Sequence, residues 1–344
     1  MRDVAVRAGV SLTTASRALN DRGDVADDTR ELVRQVAREQ GYRTGRRPAA
    51  GRRHEGGIVA MVLPMTHAAY FSTILAGVAE ALYEHDLRLV LCPAPESSPP
   101  RAFDLSELLP TGADGSLLVL QRRPRSELRA LRAGGHPIVV VDPFERTDPE
   151  VPVVSAAHSS GADQAVRHLL ALGHRRVAAV TGPAAGLATE ERLRGYHAAL
   201  GAAGVMADAR LIVEADFSIG GGRAAAARLL DLADPPTAVF AFNDLLAVGV
   251  IQEARARGLS LPERLSVVGF DDVGQAAVVD PALTTVRQPL TEMGRMAVSL
   301  LVRLIEGEPL EALHVELGTR LVVRASTAPP GGAQTAAGST ASTT

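Results

Sequence analysis

The sequence predicts an α/β chain: a small all-helical head, then a two-lobed body built on parallel sheets. Three observations point there. From Ile58 onward, short apolar runs alternate with amphipathic stretches, the pattern of βαβ units. The body, residues 58–327, holds more such elements than one compact open sheet carries, so it divides in two. Residues 1–42 lack that alternation and read as three short helices.

In the head, Val4, Ala5 and Ala8 recur at helical spacing, and Gly9 stands where a tight turn needs positive φ. Ser11 suits the N-cap of the next helix by accepting from the backbone N–H of Thr13 or Thr14. That helix, Leu12 to Leu19, buries Ala15, Ala18 and Leu19 and turns Leu12, Thr13, Ser16 and Arg17 outward. A helix, a Gly turn and a second helix presenting an Arg and hydroxyls is the layout that enters a DNA major groove. Charge agrees. Residues 1–53 hold 12 Arg against 7 Asp and Glu, a net of +5 on a chain whose total is −3, which leaves −8 on the remainder. A basic head on an acidic body is suited to meet a polyanion.

Arg43 to Gly57 is rich in Gly, Pro and Arg without apolar period, and reads as a linker over 43–57. Strands are expected at 58–63, 87–92, 116–120, 137–141, 176–181, 238–242 and 266–270. Helices are expected at 72–85, 161–172, 191–203, 222–232 and 245–257. The tail 328–344 is low-complexity and is expected to be disordered.

Composition excludes several functions. All 36 basic residues are arginine, so no Walker A lysine, Schiff-base lysine or kinase-type lysine exists. The single cysteine, Cys92, allows no internal disulfide. No apolar run has the length of a membrane span, and the N-terminus lacks a secretory core, so a cytoplasmic protein without membrane partner is expected. GxSxG, HExxH and CxxC are absent. Gly220-Gly221-Gly222 before Ala225 is a partial GxGxxA, better read as a flexible helix start that follows no clear strand. The nine histidines have no metal spacing. No enzyme activity, cofactor or metal is expected. A plain solute-binding protein remains possible for the body alone, but not with this head.

Several motifs resemble the lactose/galactose-repressor (LacI/GalR) family. They are Asp3-Val4-Ala5, Ala8-Gly9-Val10-Ser11, Ser16-Arg17-Ala18-Leu19-Asn20 and Gly41-Tyr42 in the head. The body adds Leu172-Gly173-His174-Arg175-Arg176, Arg192-Leu193-Arg194-Gly195-Tyr196, Phe242-Asn243-Asp244, Gly269-Phe270-Asp271-Asp272 and Arg287-Gln288-Pro289. The resemblance spans residue 2 to about 327. It implies a DNA-binding head on a two-lobed effector domain like periplasmic sugar-binding proteins, acting as a homodimer on a pseudo-palindromic operator. Lobe one would be about 58–155 plus 289–315, and lobe two about 156–286 plus 316–327.

Carried over by position, Leu12, Thr13 and Arg17 would face base edges, with Arg17 able to fork onto guanine O6 and N7. Ser11, Thr14, Ser16 and Asn20 suit phosphates, and Arg46 and Arg47 in the linker are further DNA-binding candidates. Asp142, Arg192, Asn243, Asp271 and Gln288 match effector positions, at or just after strand ends where open sheets bind ligands. Their donors and acceptors suit vicinal hydroxyls or a base, hence a sugar or nucleoside. Phe71 and Phe217 could stack on its face, although Phe71 fits the core as well.

The chain departs from the family in places. Ala26 replaces a capping Ser, leaving Asp27 as the substitute cap. Met65 to Ala69 lacks the usual polar-Asn-Pro sequence. The linker lacks the leucine that family members wedge into the minor groove: between Tyr42 and Ile58 there is no Leu, Ile, Met, Phe or Val. Wedging needs a bulky apolar side chain to offset a few kcal/mol of unstacking. Arg46, Arg47, Arg52 and Arg53 remain, charges suited to a narrow A·T-rich groove. Weak operator bending is therefore expected in a circular-permutation gel, with Gly51→Leu increasing it. A sharp central kink in the parent complex would contradict this.

Overall fold

A computed structural model describes residues 2–19, 25–39, 56–64, 68–94, 105, 109–120 and 124–331. The head is three helices, α1 (Arg2–Arg7), α2 (Leu12–Leu19) and α3 (Asp27–Glu39). They close on Val4, Ala5, Ala15, Ala18, Val33 and Val36. Gly9 takes φ +65° between α1 and α2. The Ser11 hydroxyl then accepts from the Thr14 backbone N–H at 3.0 Å, capping α2. Asp27 does not cap α3. It is the helix's first residue, and its carboxylate takes the Arg30 guanidinium at 2.8 Å instead.

The body contains two six-stranded sheets. The first has the order β11-β5-β4-β3-β1-β2, with β1 (Ile58–Pro64), β2 (Arg88–Ala94), β3 (Gly115–Val119), β4 (Ile138–Val141), β5 (Val153–Ala156) and β11 (His314–Leu317). Its pairings are all parallel. The second has the order β12-β10-β9-β8-β6-β7, with β6 (Val177–Thr181), β7 (Ile212–Glu214), β8 (Ala238–Ala241), β9 (Ser266–Asp271), β10 (Thr284–Arg287) and β12 (Arg320–Val322). Only β12 runs antiparallel, against β10. Central strands β3, β4, β6 and β8 are buried throughout. Helices cover both faces, which is why these strands read as continuous apolar runs rather than alternations.

Helices α4 (Ala68–Glu84), α5 (Arg125–Ala133) and α11 (Leu290–Glu306) serve the first sheet. Helices α6 (His158–Ala171), α7 (Leu187–Ala202), α8 (Ile219–Leu230), α9 (Asp244–Ala256) and α10 (Gly274–Val278) serve the second. The chain therefore crosses between sheets three times: after Ala156, after Arg287 and after Leu317.

The C-terminal segment is bound further than expected. Ala328 donates its N–H to Ser266 Oγ at 3.0 Å, and Gly331 donates to the Glu263 carbonyl. The buried His174 ring stands 2.9 Å from the Ala328 carbonyl. Residues 328–331 thus belong to the second sheet's surface, because their backbone groups find partners there.

Several helix pairs meet through glycine. A Cβ on Gly222 of α8 would lie 2.2 Å from the Leu246 carbonyl oxygen on α9, and one on Gly249 of α9 would lie 2.2 Å from that of Ile219. The glycine run at 220–222 thus follows a strand, β7, and serves close helix packing. Gly77 of α4 and Gly294 of α11 do the same in the first lobe: a Cβ on Gly77 would sit 2.0 Å from the Thr291 carbonyl oxygen. Backbone cannot yield as a flexible side chain does, so Gly77→Ala should destabilise the body by about 1–3 kcal/mol or more. Urea unfolding reads this directly, and unchanged stability would mean the two helices separate freely.

Candidate functional site

Parallel strands end together, so loops from neighbouring strands converge on one side of each sheet. Asp142 follows β4, Asn243 follows β8, Asp271 ends β9 and Gln288 follows β10. Two of these turns, and the one after β3, need unusual backbone: Asp142 has φ +47°, Asp271 and Asp272 have +114° and +60°, and Leu120 has +48°. A short polar Asp tolerates this region better than a branched residue, and such positions gather where a site is built. Arg192 differs from the others. It reaches the same place from α7 rather than from a strand end.

Four of the expected effector residues come together around Arg192, which is 4% exposed. Its guanidinium carbon lies 3.9 Å from the centroid of the Phe270 ring. One terminal nitrogen donates to the Phe242 carbonyl. The other lies 3.6 Å from the Asp271 carboxylate. Gln288 donates to that same carboxylate at 2.6 Å. Two residues that the sequence did not single out complete the group. Tyr70, in the first turn of α4, donates its hydroxyl to Asp142 at 2.6 Å. His158, the first residue of α6, places Nε2 2.7 Å from Asp142 Oδ1 and Nδ1 3.3 Å from an Arg192 nitrogen. A guanidinium can only donate, so Nδ1 accepts and the proton sits on Nε2.

Two atoms in this buried group have no partner: Arg192 Nε, a donor, and Gln288 Oε1, an acceptor. Buried polar atoms without partners are costly, and a ligand carrying one acceptor and one donor would satisfy both. Burial pushes the Asp142 carboxyl up, but the His158 ring, the Tyr70 hydroxyl and the Arg192 charge outweigh it and hold it below the usual range. Burial, with the neighbouring Asp142 charge, pushes Tyr70 well above the usual phenol range.

The remaining expected residues lie elsewhere or do other work. Asn243 caps α9, its Oδ1 accepting from the Leu246 N–H at 2.8 Å. Phe71 is 3% exposed within the first sheet's core and meets Tyr70 edge-on at 5.4 Å. Its ring packs as a core side chain beside the site. Phe217 is half-buried and lies over Gly182, where an added Cβ would overlap the ring at 1.9 Å. Glycine at the end of β6 therefore makes room for an aromatic face beside the cleft. In the head, Thr13 and Arg17 are exposed on α2, while Ser11 and Thr14 bond each other at 2.8 Å. Leu12 and Ser16 lie on α2 with side chains outside the description. Asn20, Arg46 and Arg47 lie outside the described residues, as does most of the linker. Among the described residues no group of three His, Cys, Asp or Glu is placed to hold a metal, and no helix is long and apolar enough to cross a membrane.

Burial pushes Asp271 up to about 6, against the pull of Arg192 and the Gln288 hydrogen bond. Between the ordinary carboxylate range and about 6, the native chain holds a proton that the unfolded chain has released. Native stability from this group therefore falls as pH rises through that window. Asp271→Asn removes the titration, so the variant should gain on the parent by about 1–3 kcal/mol between pH 4 and pH 7.5. Urea unfolding at the two pH values measures the difference, and a parent that gained on the variant would contradict it.

Comparisons with known proteins agree with this arrangement. Residues 1–45 match the family described as bacterial regulatory proteins, lacI family, and residues 166–327 match the periplasmic binding protein-like domain. The chain is 33% identical over 332 residues to the HTH-type transcriptional repressor CytR of Escherichia coli (strain K12), covering 95% of this chain and 96% of that one. Among solved structures, the complex of transcriptional regulator CelR with cellobiose superposes with a TM-score of 0.73 at 35% identity, over 94% of this chain and 98% of CelR. The lac repressor dimer bound to operator and the anti-inducer ONPF gives 0.71 at 27% identity, over 95% and 98%.

Proposed function

We propose, for a chain that belongs to the lacI family of bacterial regulatory proteins, that the cleft around Arg192 takes a sugar or nucleoside and that its occupancy sets the affinity of the head for an operator. The chain is a helix-turn-helix transcriptional regulator and not an enzyme. The observation that carries the ligand assignment is the pair of buried, unpartnered atoms Arg192 Nε and Gln288 Oε1, set beside carboxylates that accept hydroxyl protons. Asp142, Arg192, Asp271 and Gln288 are the polar contacts and Phe217 the stacking face. Asn243 shapes the site as a helix cap.

On DNA, α2, the residues flanking it and the linker supply the contacts. Arg17 and Thr13 read base edges, and Ser11, Thr14, Ser16 and Asn20 hold phosphates. Residues 1–42 form the head, 43–57 the linker with Arg46 and Arg47 on the duplex, and 58–327 the effector and dimerisation body. Two heads related by a two-fold axis match two inverted half-sites, so the working unit is a homodimer on a pseudo-palindrome, in the cytoplasm. CelR was solved with cellobiose, which supports a sugar as the first ligand to test. A bound ligand shifts operator affinity only by its differential affinity for the two states of the body.

Two substitutions test the two halves separately. Arg17→Ala should lose about 1–3 kcal/mol of discrimination between operator and random DNA while weak, salt-sensitive binding persists. An equal fall on both DNAs would make Arg17 a phosphate contact. Arg192→Ala should abolish the thermal shift given by whichever sugar or nucleoside stabilises the parent. An unchanged ligand shift would remove Arg192 from the site.

A further inference from the structure

His158 contacts a charged group of each lobe, Asp142 of the first and Arg192 of the second. We propose that it is a positioning residue: its neutral Nε2–H form clamps the Asp142 carboxylate of the first lobe to the Arg192 guanidinium of the second and draws the lobes together in the absence of ligand. The proposal rests on the reading of this cleft as the effector site.

The geometry is specific. Asp142 leaves the first sheet at the end of β4, while Arg192 stands on α7 over the second. An imidazole between a carboxylate and a guanidinium must donate to one and accept from the other. The observed 2.7 Å and 3.3 Å contacts satisfy that demand only with the proton on Nε2. His158 is 5% exposed, its ring centroid 5.9 Å from that of Phe270, so no bulk water competes for either nitrogen. Tyr70 fills Asp142's other oxygen, which leaves the carboxylate oriented toward the ring.

Among the described residues other polar contacts also join the lobes, and Val273 of the second lobe packs into the first lobe's core. The Leu187 N–H donates to the Phe144 carbonyl at 2.7 Å, and Arg146 pairs with Glu190 at 2.8 Å. The second is more than half exposed on both sides, and an ion pair in water holds little. Among the described residues the clamp is thus a buried polar tie between the lobes, beside the Leu187–Phe144 backbone bond. A ligand seeking Arg192 meets a guanidinium already aimed by His158.

The test measures lobe separation without ligand, by pulsed electron-spin distance measurement in the full chain. Spin labels go on Ser126→Cys of α5 and Glu214→Cys of β7, both exposed positions, with the buried Cys92 replaced by Ala. Labelled chain is diluted with unlabelled chain so that only distances within one protomer are read. The parent should give one short, narrow distance, and His158→Ala a longer or broader one by more than about 2 Å. His158→Gln, which still offers one donor and one acceptor, should return the parent distance. An unchanged distance in His158→Ala overturns the proposal. So does His158→Gln behaving as His158→Ala, since that would make the ring mere filler. If His158→Ala does not fold, Arg192→Leu cuts the other end of the clamp and must lengthen the distance likewise, an unchanged value again overturning it. No ligand enters this experiment, so a failure here is distinct from a failure of the effector reading, which the ligand shift in Arg192→Ala decides.

Discussion

A guanidinium cannot shed its proton at any ordinary pH, so burying one obliges the structure around it to supply partners. Arg192 is that obligation in this protein. The Phe242 carbonyl, the Asp271 carboxylate, the His158 ring nitrogen and the face of Phe270 answer it. These groups come from the ends of β8 and β9 and the start of α6. Their convergence needs the strands to be parallel, side by side and ended at the same level. The fold of the second lobe and the chemistry of its cleft are in this sense one requirement.

Much of the architecture was readable because its long elements carry their own signals. Strands such as Ile58–Pro64 and Ser266–Asp271 are apolar runs with turn residues at their ends. Helices such as Asp244–Ala256 show both cap and period. The unread strands are short: Val153–Ala156, Ile212–Glu214, Thr284–Arg287, His314–Leu317 and Arg320–Val322. Three or four residues give no usable period, and what makes them strands is a partner distant in sequence. His314–Leu317 pairs with Val153–Ala156 across the whole second lobe.

The cleft shows the same division. Arg192, Asp271 and Gln288 stand in motifs that resemblance could locate, and Asp142 at a position it matched. Tyr70 and His158 do not, because nothing local marks a lone histidine at a helix start. Its role exists only once Asp142 and Arg192, 16 and 34 residues away, are brought to its two nitrogens. Asn243 was expected to contact the effector, but its oxygen is taken by the backbone of α9, and Phe71 sits among core side chains. Asp27 followed a capping pattern whose helix simply began one residue earlier. In each of these cases a local rule was met by a competing local bond.

The neighbouring carboxylates Asp271 and Asp272 tie the cleft to the crossings. Asp271 faces inward to Arg192 and Gln288. Asp272, half-buried with its side chain turned inward, takes Arg287 at 2.5 Å and Arg324 at 2.6 Å. Gln288 and Arg287 are adjacent where the chain leaves β10 for the first lobe, and Gln288 is bound to Asp271 through its side chain and through its backbone N–H, at 3.3 Å. The second crossing is thus anchored at both faces of one strand end. A ligand that claims the free Gln288 oxygen binds to the crossing itself, and its contact energy acts on the segment about which the lobes must turn. Binding and hinge position are then two readings of one set of bonds, which is the condition for a ligand to favour one state of the body over the other.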